Sequence, residues 1–236
     1  MSNIYLQDRY KDPKQVFKTI YKIINNYNKD KNLKIIDFGG AEGAFAHFVI
    51  NQQPNYEITN IEYDKKLLEL SKKNVPLCKS IIGDINSCPK IKNNSYDIVT
   101  CIGVISIFDD FRPSINEMLR VVKKGGLIII NNMWNSYPID LLIKVRHAKN
   151  GSQKKFNNWE SGWNMISIKT ISEFLKNKKK VKSFSFKKVI MKKDLLKNKN
   201  NLLRSWTNKY KNGERYHFNG IGRLLDKRLL IIQINK

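Results

Sequence analysis

Leu33–Gly43, LKIIDFGGAEG, is the stretch around which the rest of the chain is arranged. Leu33, Ile35 and Ile36 make a short apolar run, suited to a buried parallel strand. Asp37-Phe38-Gly39-Gly40-Ala41-Glu42-Gly43 follows at once, and Ala44, Phe45, Phe48 and Val49 then recur at helical spacing. Strand, glycine turn and helix together open a βαβ nucleotide-binding unit. The glycines permit a tight turn and let a ligand approach the backbone closely. The start of the helix offers free N–H groups and the positive end of its dipole.

A dinucleotide site asks for Gly-x-Gly-x-x-Gly. Counted from Gly39, the later glycine positions hold Ala41 and Ala44, and Asp37 would set a carboxylate beside a pyrophosphate. A ligand with a cationic sulfonium and an amino group tolerates that acid. The stretch resembles the first motif of the class I S-adenosylmethionine (SAM)-dependent methyltransferases, an acid followed by three glycines at alternate positions. Here these are Asp37, Gly39, Ala41 and Gly43, with Gly40 inside the turn. Ala41 departs from the pattern but is small enough to keep the turn.

The following segments resemble the same family in order and spacing. Glu57–Tyr63, EITNIEY, reads as a second strand, with Glu62 near its C-terminal end and Tyr63 beside it. An acid roughly 20 residues past the glycines suits a contact to ribose hydroxyls. Asp64 is placed to cap a helix carrying Leu67, Leu68 and Leu70. Cys78–Asp84 reads as a third strand, and Gly83-Asp84-Ile85 resembles the family segment in which an acid reaches the adenine amino group and the next N–H reaches a ring nitrogen. Tyr96–Val104 reads as a fourth strand, whose end, Cys101-Ile102-Gly103-Val104, is expected beside the methionine part of the ligand. Asp109-Asp110 offers a cap for a helix with Ile115, Met118, Leu119, Val121 and Val122 on one face, ended by Gly125-Gly126. Leu127–Asn131 is a fifth, central strand. The resemblance covers about residues 33–132. It implies S-adenosylmethionine as cofactor, S-adenosylhomocysteine as product, and Asp37, Gly39, Gly40, Gly43, Glu62, Tyr63, Asp84, Ile85, Cys101, Ile102 and Gly103 as cofactor-binding residues.

Composition sets the remaining bounds. A chain of 236 residues can bury one substantial core. No run approaches the roughly 20 apolar residues of a membrane span, and MSNIYLQDRYKDPKQ lacks the apolar centre of a signal peptide. Cys78, Cys88 and Cys101 show no metal-ligand spacing, and no metal is expected. Three thiols without a signal peptide suggest a cytoplasmic setting. The net charge of +24 admits an anionic partner, such as RNA, a phosphorylated metabolite or a membrane surface. Lysine far outweighs arginine and asparagine is abundant, so the charge also has a purely compositional explanation.

The expected fold is α/β: a Rossmann-like, doubly wound, seven-stranded sheet, mostly parallel with an antiparallel last strand, and helices on both faces. One domain spans 1–236. An N-terminal helical segment (1–32) starts at Asp12-Pro13 and carries Val16, Phe17, Ile20 and Ile24 on one face, packing on the sheet edge or near the ligand mouth. The SAM-binding core follows (33–132). Thr170-x-x-Glu173 reads as a capping box, Val181–Met191 as a sixth strand and Leu229–Ile234 as a seventh, the last two forming a hairpin at the sheet edge.

Two insertions, 133–165 and 192–223, are expected to face substrate. The first holds Trp134, Tyr137, Phe156, Trp159 and Trp163, and the second Trp206, Tyr210, Tyr216 and Phe218. Tryptophan and tyrosine stack on sugars, flat rings or bases. Methyl transfer to oxygen or nitrogen also needs a proton acceptor. Candidates are His147 and His217 in the insertions and Asp109, whereas His47 reads as a packed helix residue. Many relatives carry Glu-His after the fourth strand, where this chain has Ser106-Ile107. The run Cys101–Val104 lacks the Asp/Asn-Pro-Pro-aromatic tetrad of nucleobase amino-methyltransferases, and Cys101 lies inside an apolar strand, unlike a C5-methylation nucleophile. The reading is methyl transfer to a small-molecule acceptor, at an oxygen of a sugar-like or anionic metabolite. The alternatives are an RNA methyltransferase using the basic surface and a non-catalytic SAM-binding partner subunit.

Overall fold

A computed structural model describes residues 10–27, 32–146, 159–199, 204–220, 222–224 and 227–236. The chain alternates in its first half: α1 (Gln15–Tyr27), β1 (Lys34–Phe38), α2 (Ala44–Gln52), β2 (Glu57–Glu62), α3 (Lys65–Asn74), β3 (Lys79–Ile82), β4 (Tyr96–Ile102), α4 (Arg112–Val121) and β5 (Val122–Asn135). Three short strands follow, β6 (Lys144–Val145), β7 (Glu160–Ser161) and β8 (Ile166–Ser167), then α5 (Ile168–Lys176) and β9 (Val181–Lys188). The end is all strand: β10 (Trp206–Lys209), β11 (Arg215–Asn219), β12 (Gly222–Leu224) and β13 (Lys227–Ile234).

The main sheet runs β3-β2-β1-β4-β5-β13-β9, with β8 attached to β5. β1 to β5 are parallel, and β13 is antiparallel to both β5 and β9. The expected mostly parallel sheet with an antiparallel last strand is therefore present, with β8 added at the end of β5. From β1 the chain winds outward through β2 and β3, then crosses to β4. The C-terminal ends of β1 and β4 therefore flank the point where the winding reverses, which is where open α/β sheets bind ligands.

Alternation along the strands builds two cores. Ile36, Phe38, Val99, Cys101, Ile128, Ile130, Leu230 and Ile232 face α4 and α5. Ile35, Ile98, Leu127, Ile129 and Leu229 face α1 and α2. The stripe read along α1 is buried at Phe17, Ile20 and Ile24, and the Phe17 ring lies 5.4 Å from that of Phe45 on α2. His47 is a packed helix residue beside Tyr10, its ring 4.8 Å away, and its Nε2 lies 2.9 Å from Asn51 Nδ2.

Three local expectations are corrected. α4 ends at Val121, before the glycines, because Val122 is already extended. Gly125 (φ +72°) and Gly126 lie within β5, beside the register shift between Tyr96 and Ile98, and a Cβ on Gly126 would meet Asp97 O at 2.8 Å. Neither Asp109 nor Asp110 is the N-cap of α4, which is Phe111; Asp110 accepts the Arg112 N–H, and Asp109 turns to the first insertion. α5 is capped by Ser167, whose Oγ accepts the Thr170 N–H at 3.0 Å, so Thr170 stands inside the helix. Among the described residues no helix is long and apolar enough to cross a membrane.

Candidate active site

The glycine turn after β1 is held from β2. Gly39 (φ +75°) and Gly43 (φ +83°) adopt left-handed conformations that glycine takes without strain. Ala41, at the pattern's middle glycine, does so too, at φ +49°. That conformation costs a non-glycine residue about 1–2 kcal/mol. Two hydrogen bonds fix it: Ala41 N–H donates to Glu62 Oε2 at 2.9 Å, and Asn60 Nδ2 donates to Ala41 O at 3.0 Å. Asn60, fully buried in β2, also donates to Ser71 Oγ at 3.0 Å. A polar residue inside the run EITNIEY was the signal for it.

Glu62 is nearly buried at the end of β2. Its other oxygen, Oε1, accepts the Asp64 N–H at 2.8 Å, while Asp64 caps α3 through Lys66 and Leu67. Each carboxylate oxygen has a second lone pair, and Glu62 lines a cavity of about 380 Å³ at the switch point. Asp37 lines it too, buried between β2 and β4. Burial pushes its carboxyl up to about 7; the Thr100 hydroxyl, donating at 2.7 Å, opposes this, the Glu62 charge adds to it and Lys14 opposes it.

Of the residues expected to bind cofactor, Asp37, Gly39, Gly40, Glu62, Tyr63, Asp84, Ile85, Ile102 and Gly103 surround this cavity. Gly43 and Cys101 do not. Gly43 caps α2 and packs on α3, where a Cβ would meet Ser71 Oγ at 2.6 Å. Cys101 is fully buried in the α4-side core, one residue out of phase with Ile102, and burial raises its thiol well above the usual range. Val104, expected with the end of the fourth strand beside the ligand, also lines the cavity, whereas Lys14, Phe17, Phe45, Ile107 and Phe108 were not read from the sequence as site residues. The helical stripe pointed to Phe17. Ile107 and Phe108, after β4, carried no signal.

The base candidates separate. His147 lies outside the described residues. His217 is buried in β11 and lines a different cavity, of about 390 Å³, between the end of β9 and the β10–β11 turn. Asp109 bonds Lys144 Nζ, Ser161 Oγ (2.6 Å) and Asn164 Nδ2 (3.3 Å), and the Lys144 bond, then Ser161, holds its carboxyl below the usual range. That lowers its basicity. Its place is structural: it ties the first insertion to the turn after β4. Asn164, fully buried, completes the tie. It donates from N to Ser106 O and from Nδ2 to Phe108 O, both at 2.9 Å, and accepts the Ile143 N–H at 2.7 Å. The cavity wall at Val104, Ile107 and Phe108 is thus fastened to the first insertion.

The insertion aromatics also divide. Trp134 is core, buried beside Phe186 at 5.7 Å. Trp163 packs with Met133 and Met165. Trp159 is exposed, with the Arg146 guanidinium 4.9 Å from its ring centre. Tyr210 and Tyr216 pack edge-on at 4.7 Å, and Lys197 lies over Trp206. Phe156 lies outside the described residues.

A family model described as a methyltransferase domain matches residues 29–197. The chain belongs to that family, the class I S-adenosylmethionine-dependent methyltransferases. It is 27% identical over 113 residues to a demethylmenaquinone methyltransferase of Thermotoga maritima, a match covering 48% of each chain, so it spans about half the length of that curated relative. In fold it is similar to the PH0226 protein of Pyrococcus horikoshii (TM-score 0.59, 12% identity, 98% of this chain and 93% of that one). It is also similar to the YcgJ protein of Bacillus subtilis (TM-score 0.56, 15% identity, 93% and 99%).

Proposed function

We propose that this chain transfers a methyl group from S-adenosylmethionine to an oxygen of a small-molecule acceptor. The observation that carries the reading is the cavity at the switch point, lined by the buried carboxyls of Glu62 and Asp37. The donor set suits the cofactor. Glu62 keeps lone pairs for two ribose hydroxyls, and Asp84, exposed at the end of β3, can accept from an exocyclic amine while Ile85 N–H donates. Leu67, Ile85 and Ile102 give apolar walls for a flat base. Asp37 and Glu42 bring negative charge to a cavity meant for a cation.

When bound, S-adenosylmethionine supplies a methyl group on a positively charged sulfur, so the donor needs no activation by the chain. The protein's part is to orient the acceptor and exclude water. Phe17, Phe45, Val104 and Phe108 are placed to exclude water, and Ile107 stands half-exposed at the opening. This rim favours an acceptor with an apolar face, while Lys14 beside it supports an anionic group on the same molecule. A glycan-like acceptor fits through the hydroxyls that sit beside such faces. For RNA the support is net charge alone: the lysine-rich groove of Lys124, Lys178, Lys179 and Lys236 lies at the opposite end of the strands from the cavity. A non-catalytic partner subunit has no observation in its favour.

Calorimetric titration with S-adenosylmethionine, S-adenosylhomocysteine and NAD tests the site. Micromolar binding of the first two and none of the third is expected. No binding of S-adenosylmethionine would overturn the reading. An acceptor screen with labelled methyl donor then separates apolar-faced anions from sugars and RNA.

A further inference from the structure

The stretch Tyr137–Ile143, YPIDLLI, reverses the usual arrangement of a surface loop. Its polar groups turn inward. Asn135 Nδ2 donates to Ile139 O at 2.8 Å and its Oδ1 accepts the Tyr137 N–H. The Asp140 carboxylate accepts from Ser167 N–H and from Thr170 Oγ1, at the start of α5. The apolar side chains turn outward: Tyr137, Ile139 and Leu142 are 70, 57 and 60% exposed. Single exposed apolar residues are ordinary, but a run of them held out by polar anchors on its inner side marks an interaction surface.

The surroundings choose the partner. Leu141 bridges Met165, and β6 pairs with β7, so this stretch continues into an antiparallel ribbon ending at Arg146 and Trp159. Tryptophan, tyrosine and arginine combine apolar bodies with polar ends, the mixture that settles at a lipid–water boundary. From 133 to 169 the sequence has six lysines and arginines against two acids, Asp140 and Glu160. The Asp140 carboxylate is spent on α5. The ribbon is also fastened to the cavity rim through Asn164 and Asp109, and on that rim Ile107 is 48% exposed. We infer that the Tyr137–Leu142 stretch and Trp159 form a docking surface for an anionic lipid bilayer, which holds the cavity mouth against the membrane. Apolar burial and attraction to acidic headgroups act together in such contacts, and the electrostatic part weakens with salt.

The test is flotation of the full chain with vesicles of phosphatidylcholine alone, or with about one third phosphatidylglycerol. Binding to the anionic vesicles and much weaker binding to the neutral ones is expected, decreasing as salt rises. The triple variant Tyr137→Ser/Ile139→Ser/Leu142→Ser should lose about tenfold or more of this partition, with its melting temperature unchanged, since all three side chains are exposed. Leu196→Ser, at an 88% exposed leucine of the second insertion, should bind as the parent does. Brominated lipid should quench the parent's fluorescence, and Trp159→Phe should remove most of that quenching. Equal flotation of parent and triple variant, or no flotation of the parent, would overturn the inference. So would a parent dimer that the triple variant dissociates, because the surface would then be covered by a second copy.

Discussion

The two insertions have much the same composition, basic and aromatic, and read alike in sequence, yet they do different things. The first is built into the cavity wall. Asn164 reaches from it to Ser106 and Phe108, Asp109 in the turn after β4 accepts from its Lys144 and Ser161, and together they fix that turn. The second builds a small sheet of its own, β10-β11-β12, with its own cavity around His217. It meets the first part of the chain where Lys193 pairs with Asp12, ahead of α1. None of its described residues lines the cavity at the switch point. Aromatic content marks where a chain can pack or bind. Which of the two happens depends on where the flanking strands deliver the segment.

The largest effect should come from the core, and it sets the scale for both insertions. Glu62→Ala should weaken S-adenosylmethionine binding by about 1.5–3 kcal/mol, roughly 10–150-fold, through loss of charge-assisted hydrogen bonds. Unchanged affinity in a folded variant would remove the ribose assignment. Asn164→Ala should come next. It keeps the backbone bond to Ser106 O but leaves Phe108 O and the Ile143 N–H without their side-chain partner, costing about 2–3 kcal/mol of stability. It should also lower kcat/KM for acceptor about tenfold while moving S-adenosylmethionine affinity less than threefold. If both change equally, the first insertion is no more than general support.

Asp37 gives a pH signature that belongs to the core. Its folded pKa, about 7, lies above the usual carboxylate value, so the stability associated with this group is present at low pH and is lost as pH rises from about 4 through 7. A cationic ligand favours the ionised form, so S-adenosylmethionine affinity should tighten about tenfold between pH 6 and 8. Asp37→Asn should flatten that profile, and a profile unchanged by the substitution would place the titrating group elsewhere. The smallest effect belongs to the second insertion. His217→Asn should change S-adenosylmethionine affinity and turnover less than about twofold, whatever it does to melting temperature. A large loss of turnover with normal melting would return His217 to the list of bases and erase the contrast between the insertions.

The order of motifs was legible because each acid ends a strand of recognisable composition. Asp37, Glu62 and Asp84 stand at the ends of β1, β2 and β3, and parallel strands bring such ends to one edge. The contribution of Asn60 was legible in principle, as a polar residue in an inward-facing position. The face of each strand residue was not. Cys101 and Ile102 are neighbours in an apolar run, and a shift of one residue exchanges core for cavity. The helix boundaries around Ser167 and Gly125 were missed for a similar reason: several residues could serve as cap or stop, and packing against β5 and β13 selected among them.

By itself, then, the sequence determined the alternation of strand and helix, the glycine turn and the positions of three acids, because these depend on local periodicity and on backbone conformations that few residues adopt. The tertiary structure alone decided that Lys14, just ahead of α1, and Phe17 within it line the cavity, that Asp109 is a tether of low basicity, and that one insertion joins the site while the other stands apart. Those outcomes depend on contacts between segments far apart in the chain. Their energies come from burial and from hydrogen bonds such as those of Asn164, which exist only once the sheet has set the distances.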